Sequence, residues 1–331
     1  MAVTSTVGTA VRCALAFAVL CLIASPSAAA AQQRFALVVS GASGGDEYVE
    51  QYAAWTGAFA RTLTDQMKFD PAHVTVLADT DRAADAATAA NVRKSIASVR
   101  ARMTREDLLV ILLVGHGTSD GEAAKFNLVG PDMESSEWAA LLQPLPGQVA
   151  VVNTTAGSFP FIERLSGPRR IVITATDAVS QRFDTVFPKY FVRAFADEGA
   201  DLDKNGRISL WEGFAFASAA VKRHYQQRGQ LSTERALLDD NGDGLGRSAA
   251  EKGNDGSQAT RTYLDETLPG ATPTDEALIA LLQRKSLVEA ELEELKIRRA
   301  FLQRDEYLKE FERIVTELAR VSSDIRRRGK T

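Results

Sequence analysis

Five apolar stretches separated by helical patterns constrain this chain more than any other feature. The stretches are rich in β-branched residues and lie at 34–41, 73–78, 107–115, 148–153 and 170–176. Because they are apolar along their whole length, they predict strands buried on both faces, as in a parallel sheet. The segments between them repeat apolar residues at helical spacing, at 47–67, 86–103, 136–145 and 158–167. This alternation predicts an α/β fold with a single parallel-sheet domain over residues 34–200.

The first 31 residues have the pattern of a cleavable secretory signal. Arg12 precedes a short apolar core, and Ala29 and Ala31 form a small-residue cleavage site. We therefore expect a secreted or periplasmic protein whose mature chain begins at Gln32, with an uncleaved anchor as the alternative. The apolar core is too short to span a bilayer, and no later stretch of the sequence is long enough to do so.

Both cysteines, Cys13 and Cys21, lie inside this signal segment. The mature chain therefore has no thiol, which excludes a disulfide, a cysteine-bound metal and a cysteine nucleophile. Removal of Arg12 changes the formal net charge from −4 to −5. A mildly acidic chain of this kind does not favour nucleic-acid binding.

Two loops that follow predicted strands carry residues suited to hydrolytic chemistry. His116 stands between two glycines after the third strand, and the fourth strand runs into a loop with the hydroxyls of Thr155 and Ser158. Sites in open parallel sheets form beyond the carboxyl ends of the strands, so we expect these loops to meet there. Asp120 and Asp177 are the carboxylates that sequence position offers for orienting the histidine.

The order and spacing of these segments resemble the legumain-type cysteine peptidases and, more broadly, the caspase-like fold. The matching segments, within roughly residues 34–195, are "FALVVSGASG", "LLVILLVGHGT", "VAVVNTTAGSF" and "IVITATDAVSQ". The resemblance implies a caspase-like parallel-sheet α/β/α sandwich with a histidine–cysteine pair at its site. His116 then matches the catalytic histidine, and Thr155 falls at the position of the catalytic cysteine.

The chain departs from that family at the residues that would perform catalysis. Where the family has an acidic residue, a small residue and cysteine, this sequence has Asn153, Thr154 and Thr155. The arginine that the family commonly places near the first strand is also missing. A hydroxyl needs a tightly bonded base oriented by a third group, whereas a thiol does not. We therefore expect a pseudo-hydrolase, the alternative being an active hydrolase that uses His116 with Thr155 or Ser158.

Residues 201–212, "DLDKNGRISLWE", fit the twelve-residue calcium loop of an EF-hand. Helical patterns flank the loop at 187–200 and 210–227, and Gly206 stands where the sharp turn falls. The predicted ligands of the ion are Asp201, Asp203, Asn205, the Arg207 carbonyl, Ser209 through water, and Glu212. The pattern predicts structural calcium with a weak, extracellular type of affinity of about 10⁻⁴–10⁻³ M. The alternative is a solvated turn rich in Asp, Asn and Gly.

A second stretch, residues 239–250, begins in the same manner with Asp239, Asn241 and Asp243. It lacks the closing glutamate, because position twelve is Ala250, and Gly246 replaces the apolar residue at position eight. We therefore interpret it as a surface turn, or at most a degenerate cation loop. The run from 239 to 262 is polar and predicts a mobile loop.

The C-terminal segment, residues 263–331, contains two stretches with coiled-coil spacing. In the first, apolar residues recur every seven positions, at Leu281, Val288, Leu295 and Leu302, and in the second the spacing alternates between three and four. In the second stretch this seam includes Leu308, Val315 and Ser322. We expect an antiparallel helical hairpin that packs on its own domain, on a partner or on a second copy. The predicted organisation is a signal peptide (1–31), an α/β domain (32–200), a calcium loop with helix and polar loop (201–262), and the hairpin.

A hypothesis from a different functional class fits the same segments. The chain would then be a non-catalytic secreted binding or scaffolding module, with a peptide or protein ligand in the α/β cleft. Calcium would stiffen the middle segment, and the hairpin would dock a partner. The missing thiol and arginine favour this hypothesis, whereas the histidine between glycines favours an enzyme.

Overall fold

A computed structural model describes residues 32–120, 123–251, 253–265, 276–299 and 302–328. The predicted signal peptide, residues 1–31, lies outside the described residues, so its prediction stays untested. From Gln33 onward the chain forms one compact unit. No helix among the described residues has the length and apolar character needed to cross a membrane.

A six-stranded sheet in the order β2-β1-β3-β7-β8-β9 forms the centre of the fold. Its strands are β1 (Arg34–Ser40), β2 (Val74–Leu77), β3 (Leu108–Val114), β7 (Gln148–Asn153), β8 (Arg170–Thr174) and β9 (Leu237–Asp239). The first five are mutually parallel, and β9 pairs antiparallel with β8. The five strands predicted from the apolar stretches are confirmed.

Helices cover both faces of this sheet, which explains why its strands are apolar without alternation. Alternate residues of β1, such as Leu37 and Val38, belong to separate hydrophobic clusters on opposite faces. One face carries α1 (Asp46–Arg61), α5 (Phe187–Ala194) and α6 (Leu210–Gln227). The other carries α2 (Ala89–Arg102), α3 (Ser135–Leu142) and α4 (Phe161–Leu165). The architecture is therefore an α/β sandwich of three layers.

A small antiparallel sheet that the sequence did not predict lies between β3 and α3. It consists of β4 (Gly117–Ser119), β5 (Ala124–Phe126) and β6 (Met133–Glu134). Strands of two or three residues are too short to show a periodic pattern, which is why they were missed. This sheet begins directly after His116 and so fixes the direction in which the histidine loop leaves the main sheet.

The main sheet and its core extend beyond residue 200, where the predicted α/β domain ended. Strand β9 supplies the sixth strand, and α6 packs into the same core as β1 and β3. The short helix α7 (Ser257–Arg261) also packs there, through buried Ala259. The expectation of a mobile polar loop over 239–262 is therefore corrected, because apolar residues within and beside this stretch are buried.

The C-terminal segment forms the expected helical hairpin, made of α8 (Glu276–Arg298) and α9 (Arg304–Arg328). Leu282 near the start of α8 packs with Ile325 near the end of α9, so the helices are antiparallel. The seam of α9 contains Tyr307, Ile314 and Val321, each one position before a residue of the predicted seam, whereas Leu308 is 49% exposed. The three predicted positions 308, 315 and 322 are therefore corrected.

The hairpin also packs on its own domain. Lys285 Nζ donates to the carbonyl of Leu202 at 3.3 Å, and the Leu202 side chain packs against the hydrophobic cluster of the hairpin. Gln283 Nε2 donates to the carbonyl of Asp255 at 2.8 Å. The sequence left open whether the hairpin packs on its own domain, on a partner or on a second copy. The structure shows it packed on its own domain.

Candidate functional site

The histidine loop and the hydroxyl loop meet at the carboxyl edge of the sheet. A Cβ added to Gly117 would lie 2.3 Å from Thr155 Oγ1, and one added to Gly157 would lie 3.3 Å from the Ser119 side chain. The first distance leaves no room for a side chain, and Gly157 has a positive φ of 62°, so both positions where the two loops touch favour glycine. The predicted meeting of the loops is confirmed.

Both ring nitrogens of His116 have hydrogen-bond or ion-pair partners. Nε2 lies 2.9 Å from the backbone carbonyl of Ser43 and 3.3 Å from the Tyr52 hydroxyl. Nδ1 lies 3.2 Å from Asp184 Oδ1. A carbonyl oxygen and an ionised carboxylate can only accept, so the contacts to Ser43 and Asp184 are both hydrogen bonds when Nε2 and Nδ1 each carry a proton. An imidazole nitrogen that donates in this way has no lone pair with which to take a proton from a nucleophile.

Two tyrosines of α1 hold the histidine ring in place. The Tyr48 ring meets it edge-on at a centroid distance of 4.8 Å, and its hydroxyl donates to Asp184 Oδ2. That hydrogen bond and the charge of Asp184 raise the pKa of Tyr48. Burial is the largest cause that raises the pKa of Tyr52. Both phenols therefore remain protonated near neutral pH and act as neutral hydrogen-bonding groups.

The carboxylate that contacts the histidine ring is Asp184, and not Asp120 or Asp177 as expected. Asp177 instead accepts from Gln181 and pairs with Arg235 at 3.3 Å, and Asp120 accepts from the backbone of Ala123. This correction has a topological cause, because Asp184 lies in the long loop after β8. The sequence predicted that this loop lies at the same edge of the sheet. Because the loop is long, the sequence did not indicate which of its carboxylates would contact the ring.

The two candidate nucleophiles are bonded away from the histidine. The Thr155 hydroxyl donates to Asn153 Oδ1 at 2.8 Å, and its side chain is buried. The Ser158 hydroxyl is bonded to Thr176 Oγ1 at 3.0 Å and accepts from the backbone of Ala175. Within the described residues, no hydrogen bond joins either hydroxyl to His116. The structure therefore brings together the loops but not the reacting groups.

A cleft of about 290 Å³ opens beside this arrangement. Its walls include Tyr48, Trp55, Glu47 and Asp184, and none of the described residues that line it is a lysine or arginine. Aromatic faces and carboxylates together attract a cationic group, through cation–π contact and charge.

The predicted calcium loop draws three carboxylates together. Asp201, Asp203 and Glu212 each offer an oxygen, and these oxygens lie within 4.8 Å of one another. Asp203 and Glu212 are almost fully buried, with 2% and 1% of their surface exposed. Within the described residues, no lysine or arginine forms an ion pair with any of the three. Three clustered carboxylates without a protein cation fit a hard divalent cation.

Backbone amides orient the loop's carboxylates. Asp201 accepts from the amides of Asn205 and Gly206, at 3.1 and 3.0 Å. Glu212 Oε1 accepts from the amide of Leu202 at 2.8 Å, and Oε2 accepts from the amide and hydroxyl of Ser209. The bonds from Ser209 complete a capping box at the start of α6, so one glutamate both begins the helix and closes the loop.

The electrostatics of the loop favour a positive charge between the carboxylates. Burial is the largest cause that raises the pKa of Asp203, to about 7, followed by repulsion from Glu212. Burial also raises the pKa of Glu212. The guanidinium of Arg207 is mostly buried, and it pairs with Asp265, to which Nε donates at 2.8 Å, and stacks on the Tyr263 ring at 3.9 Å.

Two further predicted ligands, Asn205 and Ser209, differ in their hydrogen-bond partners. Asn205 Oδ1 accepts from the amide of Arg207 at 2.7 Å, so it faces the turn as a loop ligand would. Ser209 is committed to Glu212 through its hydroxyl. Ser209 therefore acts on Glu212, consistent with the expectation that it would reach an ion only through water.

Comparison with known proteins adds little to this description. No model of a known protein family matches the sequence, and no curated protein matches it. Among solved structures, the crystal structure of protein GSU0716 from Geobacter sulfurreducens is similar, with 14% sequence identity and a TM-score of 0.42. The match covers 65% of this chain and 97% of that chain. The geometry of the sites therefore has to support any function by itself.

Proposed function

We propose that this protein is a secreted, caspase-like α/β/α pseudo-hydrolase that binds a peptide in its cleft and holds calcium in the 201–212 loop. One observation carries the proposal. The nitrogen of His116 that would act as a base donates to the Ser43 carbonyl, and the hydroxyl at the nucleophile position donates to Asn153. Neither group is available for the proton transfer that hydroxyl-based hydrolysis requires.

The peptide-binding part of the proposal is supported by the cleft. Its carboxylates, Glu47 and Asp184, stand beside the aromatic rings of Tyr48 and Trp55. A lysine or arginine side chain of a peptide could contact both kinds of group at once. We therefore propose an extended peptide with at least one basic residue as the ligand.

The calcium part of the proposal is supported by the carboxylate cluster of the 201–212 loop. Asp201, Asp203 and Glu212 would hold the ion, and its charge would relieve the repulsion that now exists between buried carboxylates. Because α6 begins at this loop and packs into the central core, the ion would stabilise the fold. Calcium supplies structural stability in this proposal and takes no part in a reaction.

One observation favours the second candidate function, an active Thr or Ser hydrolase. Asp184 stands 3.2 Å behind Nδ1 of His116, as the orienting carboxylate of a catalytic triad does. For His116 to activate Thr155, the ring would have to break its contact with the Ser43 carbonyl and turn Nε2 toward the Thr155 hydroxyl.

A turnover assay separates the two candidates. The purified protein and its His116→Ala variant are incubated with a peptide library, in calcium and with calcium chelated, and the products are read by mass spectrometry. We expect no cleavage that depends on His116, and saturable binding of basic peptides that is weakened in Asp184→Asn. Cleavage by the wild type that disappears in His116→Ala would overturn the pseudo-hydrolase proposal and establish the hydrolase.

A further inference from the structure

A large cavity lies between helix α6 and the helical hairpin. Its volume is about 790 Å³, whereas the cleft beside the histidine has about 290 Å³. Helix α6 forms one wall through Ala215, Phe216 and Ala219, and the hairpin forms another through Leu292 and Leu318. Cavities that bind small molecules in proteins have volumes of roughly 300–1,000 Å³ and mainly apolar walls. This cavity has the size and the lining of a small-molecule site.

Large apolar side chains at the cavity wall are incompletely covered by the protein. Phe216 packs against the core of the α/β domain, and Leu292 and Leu318 pack against the hairpin cluster, yet all three are only partly buried. Their remaining apolar surface faces the cavity from two sides. Removal of such surface from water is favourable, so the cavity favours a ligand with an apolar chain.

The acidic side chains at the cavity wall already have partners within the protein. Glu234 accepts from two backbone amides at the start of α5, at 2.7 and 3.0 Å. Glu251 forms an ion pair with Arg235, and Glu289 forms one with Lys285 at 3.6 Å. These carboxylates are therefore satisfied without a ligand, and Arg235 is satisfied with them.

Two cations at the wall, Lys222 and Arg223, differ from Arg235 in this respect. Among the described residues, neither forms an ion pair with a carboxylate. Both lie on α6, about 10 Å along the helix from Ala215. Lys222 is also partly buried, which strengthens its attraction for an anion. The wall that α6 forms is therefore apolar at one end and positively charged at the other.

We infer that this cavity binds a free single-chain amphiphile with an anionic head, such as a fatty acid. The apolar chain lies along α6 and covers Phe216 together with the two leucines of the hairpin. The carboxylate head contacts Lys222 and Arg223, and charge-assisted hydrogen bonds of this kind are stronger than neutral ones. The inference is independent of the proposed function, because the cavity wall contains none of the residues to which that function assigns a role.

Calorimetric titration of the purified protein with sodium dodecanoate tests this inference. The fatty acid is kept below its micellar concentration, and a chelator removes calcium. The wild type should bind one dodecanoate per chain with saturation. Ala219→Trp should abolish this binding, because it places an indole in the cavity from an exposed position of α6. Ala97→Trp, the same substitution at an exposed position of α2, should bind dodecanoate as the wild type does.

The positively charged end of the cavity is tested separately. Lys222→Gln combined with Arg223→Gln should weaken dodecanoate binding several-fold, because the head loses both cations. Lys94→Gln combined with Arg100→Gln removes the same charge from exposed positions of α2 and should leave the affinity unchanged. Equal affinities of the two double variants would overturn the assignment of an anionic head to this end.

The remaining outcomes decide whether the cavity is a binding site. A wild type that shows no saturable binding, or binding that Ala219→Trp retains, would overturn the inference. Circular dichroism checks that each variant is folded. If Ala219→Trp is not, Ala250→Trp fills the cavity from an exposed position on another wall. Dodecanoate binding in a protein that binds neither calcium nor basic peptides would support this inference and overturn the proposed function.

Discussion

At the scale of single residues, the hydrogen bonds of His116 and Thr155 are the basis for the proposed lack of hydrolysis. A thiol needs only a loosely placed histidine, because part of it is ionised near neutral pH. An aliphatic hydroxyl needs a base that accepts its proton directly, and Thr155 already donates to Asn153. We therefore expect the cleft to bind a ligand without hydrolysing it.

Glu234 is a second residue whose environment has measurable consequences. Its carboxylate accepts from the amides of Val186 and Phe187 at the start of α5 and from the Tyr225 hydroxyl. Burial outweighs these three hydrogen bonds and raises the pKa of Glu234 from 4.5 to about 7. The folded protein therefore keeps a proton on this group at pH values where the unfolded chain has lost it.

Stability should consequently depend on pH through Glu234. Its contribution is full below about pH 4.5 and is lost as pH rises to about 7. The loss is on the order of 3 kcal/mol, from a shift of roughly 2.5 units. We predict that the unfolding free energy of wild type minus that of Glu234→Gln falls by this amount over that range. Urea titrations at several pH values measure it, and parallel curves for the two proteins would refute it.

At the scale of secondary-structure elements, the 201–212 loop and helix α6 depend on the same side chain. Glu212 closes the loop through its position near Asp201 and Asp203, and it caps the helix through Ser209. A glutamine at this position can still form the capping box but lacks the charge. Glu212→Gln therefore separates the helical role from the ionic role.

We predict that calcium raises the melting temperature of the wild type and raises that of Glu212→Gln less. Calcium at about 100 times the dissociation constant stabilises a single site by about 2.7 kcal/mol, which corresponds to several degrees. Thermal melts in calcium and in chelator measure this. An equal shift in both proteins would show that calcium acts elsewhere.

The helical hairpin offers a matched pair of valines on one helix. Val321 of α9 is buried in the seam, with 2% of its surface exposed, whereas Val315 has 38% exposed. We predict that Val321→Ala lowers the unfolding free energy by about 2 kcal/mol, because two buried methyl groups are lost. Val315→Ala should change it by less than about 0.5 kcal/mol. Equal losses in chemical denaturation would mean that the seam lies elsewhere.

At the scale of the whole molecule, the sequence predicted what local patterns encode and missed what distant segments bring together. The five parallel strands and the loop at 201–212 follow from consecutive residues, and the structure contains both elements. Asp184 was missed because it reaches the histidine from a separate loop. Strand β9 was missed because its three residues carry no periodic pattern.

The middle and C-terminal segments are also more closely joined to the α/β core than a division at residue 200 suggests. Helix α8 contacts the 201–212 loop through Lys285 and Leu202, and it contacts the segment before α7 through Gln283 and Asp255. An ion bound in the 201–212 loop would therefore rigidify part of the surface on which the hairpin docks. This arrangement connects the proposed calcium site to the stability of the whole chain.

The central claim, that the histidine is committed as a donor, is tested most directly by nitrogen-15 NMR of the imidazole side chains. The sequence has three histidines, so His116 can be assigned by the signal that disappears in His116→Ala. We predict that Nε2 of His116 carries a proton, because it lies 2.9 Å from the carbonyl oxygen of Ser43, which can only accept. An unprotonated Nε2 with its proton on Nδ1 would contradict the account, since the ring would then be poised to act as a base.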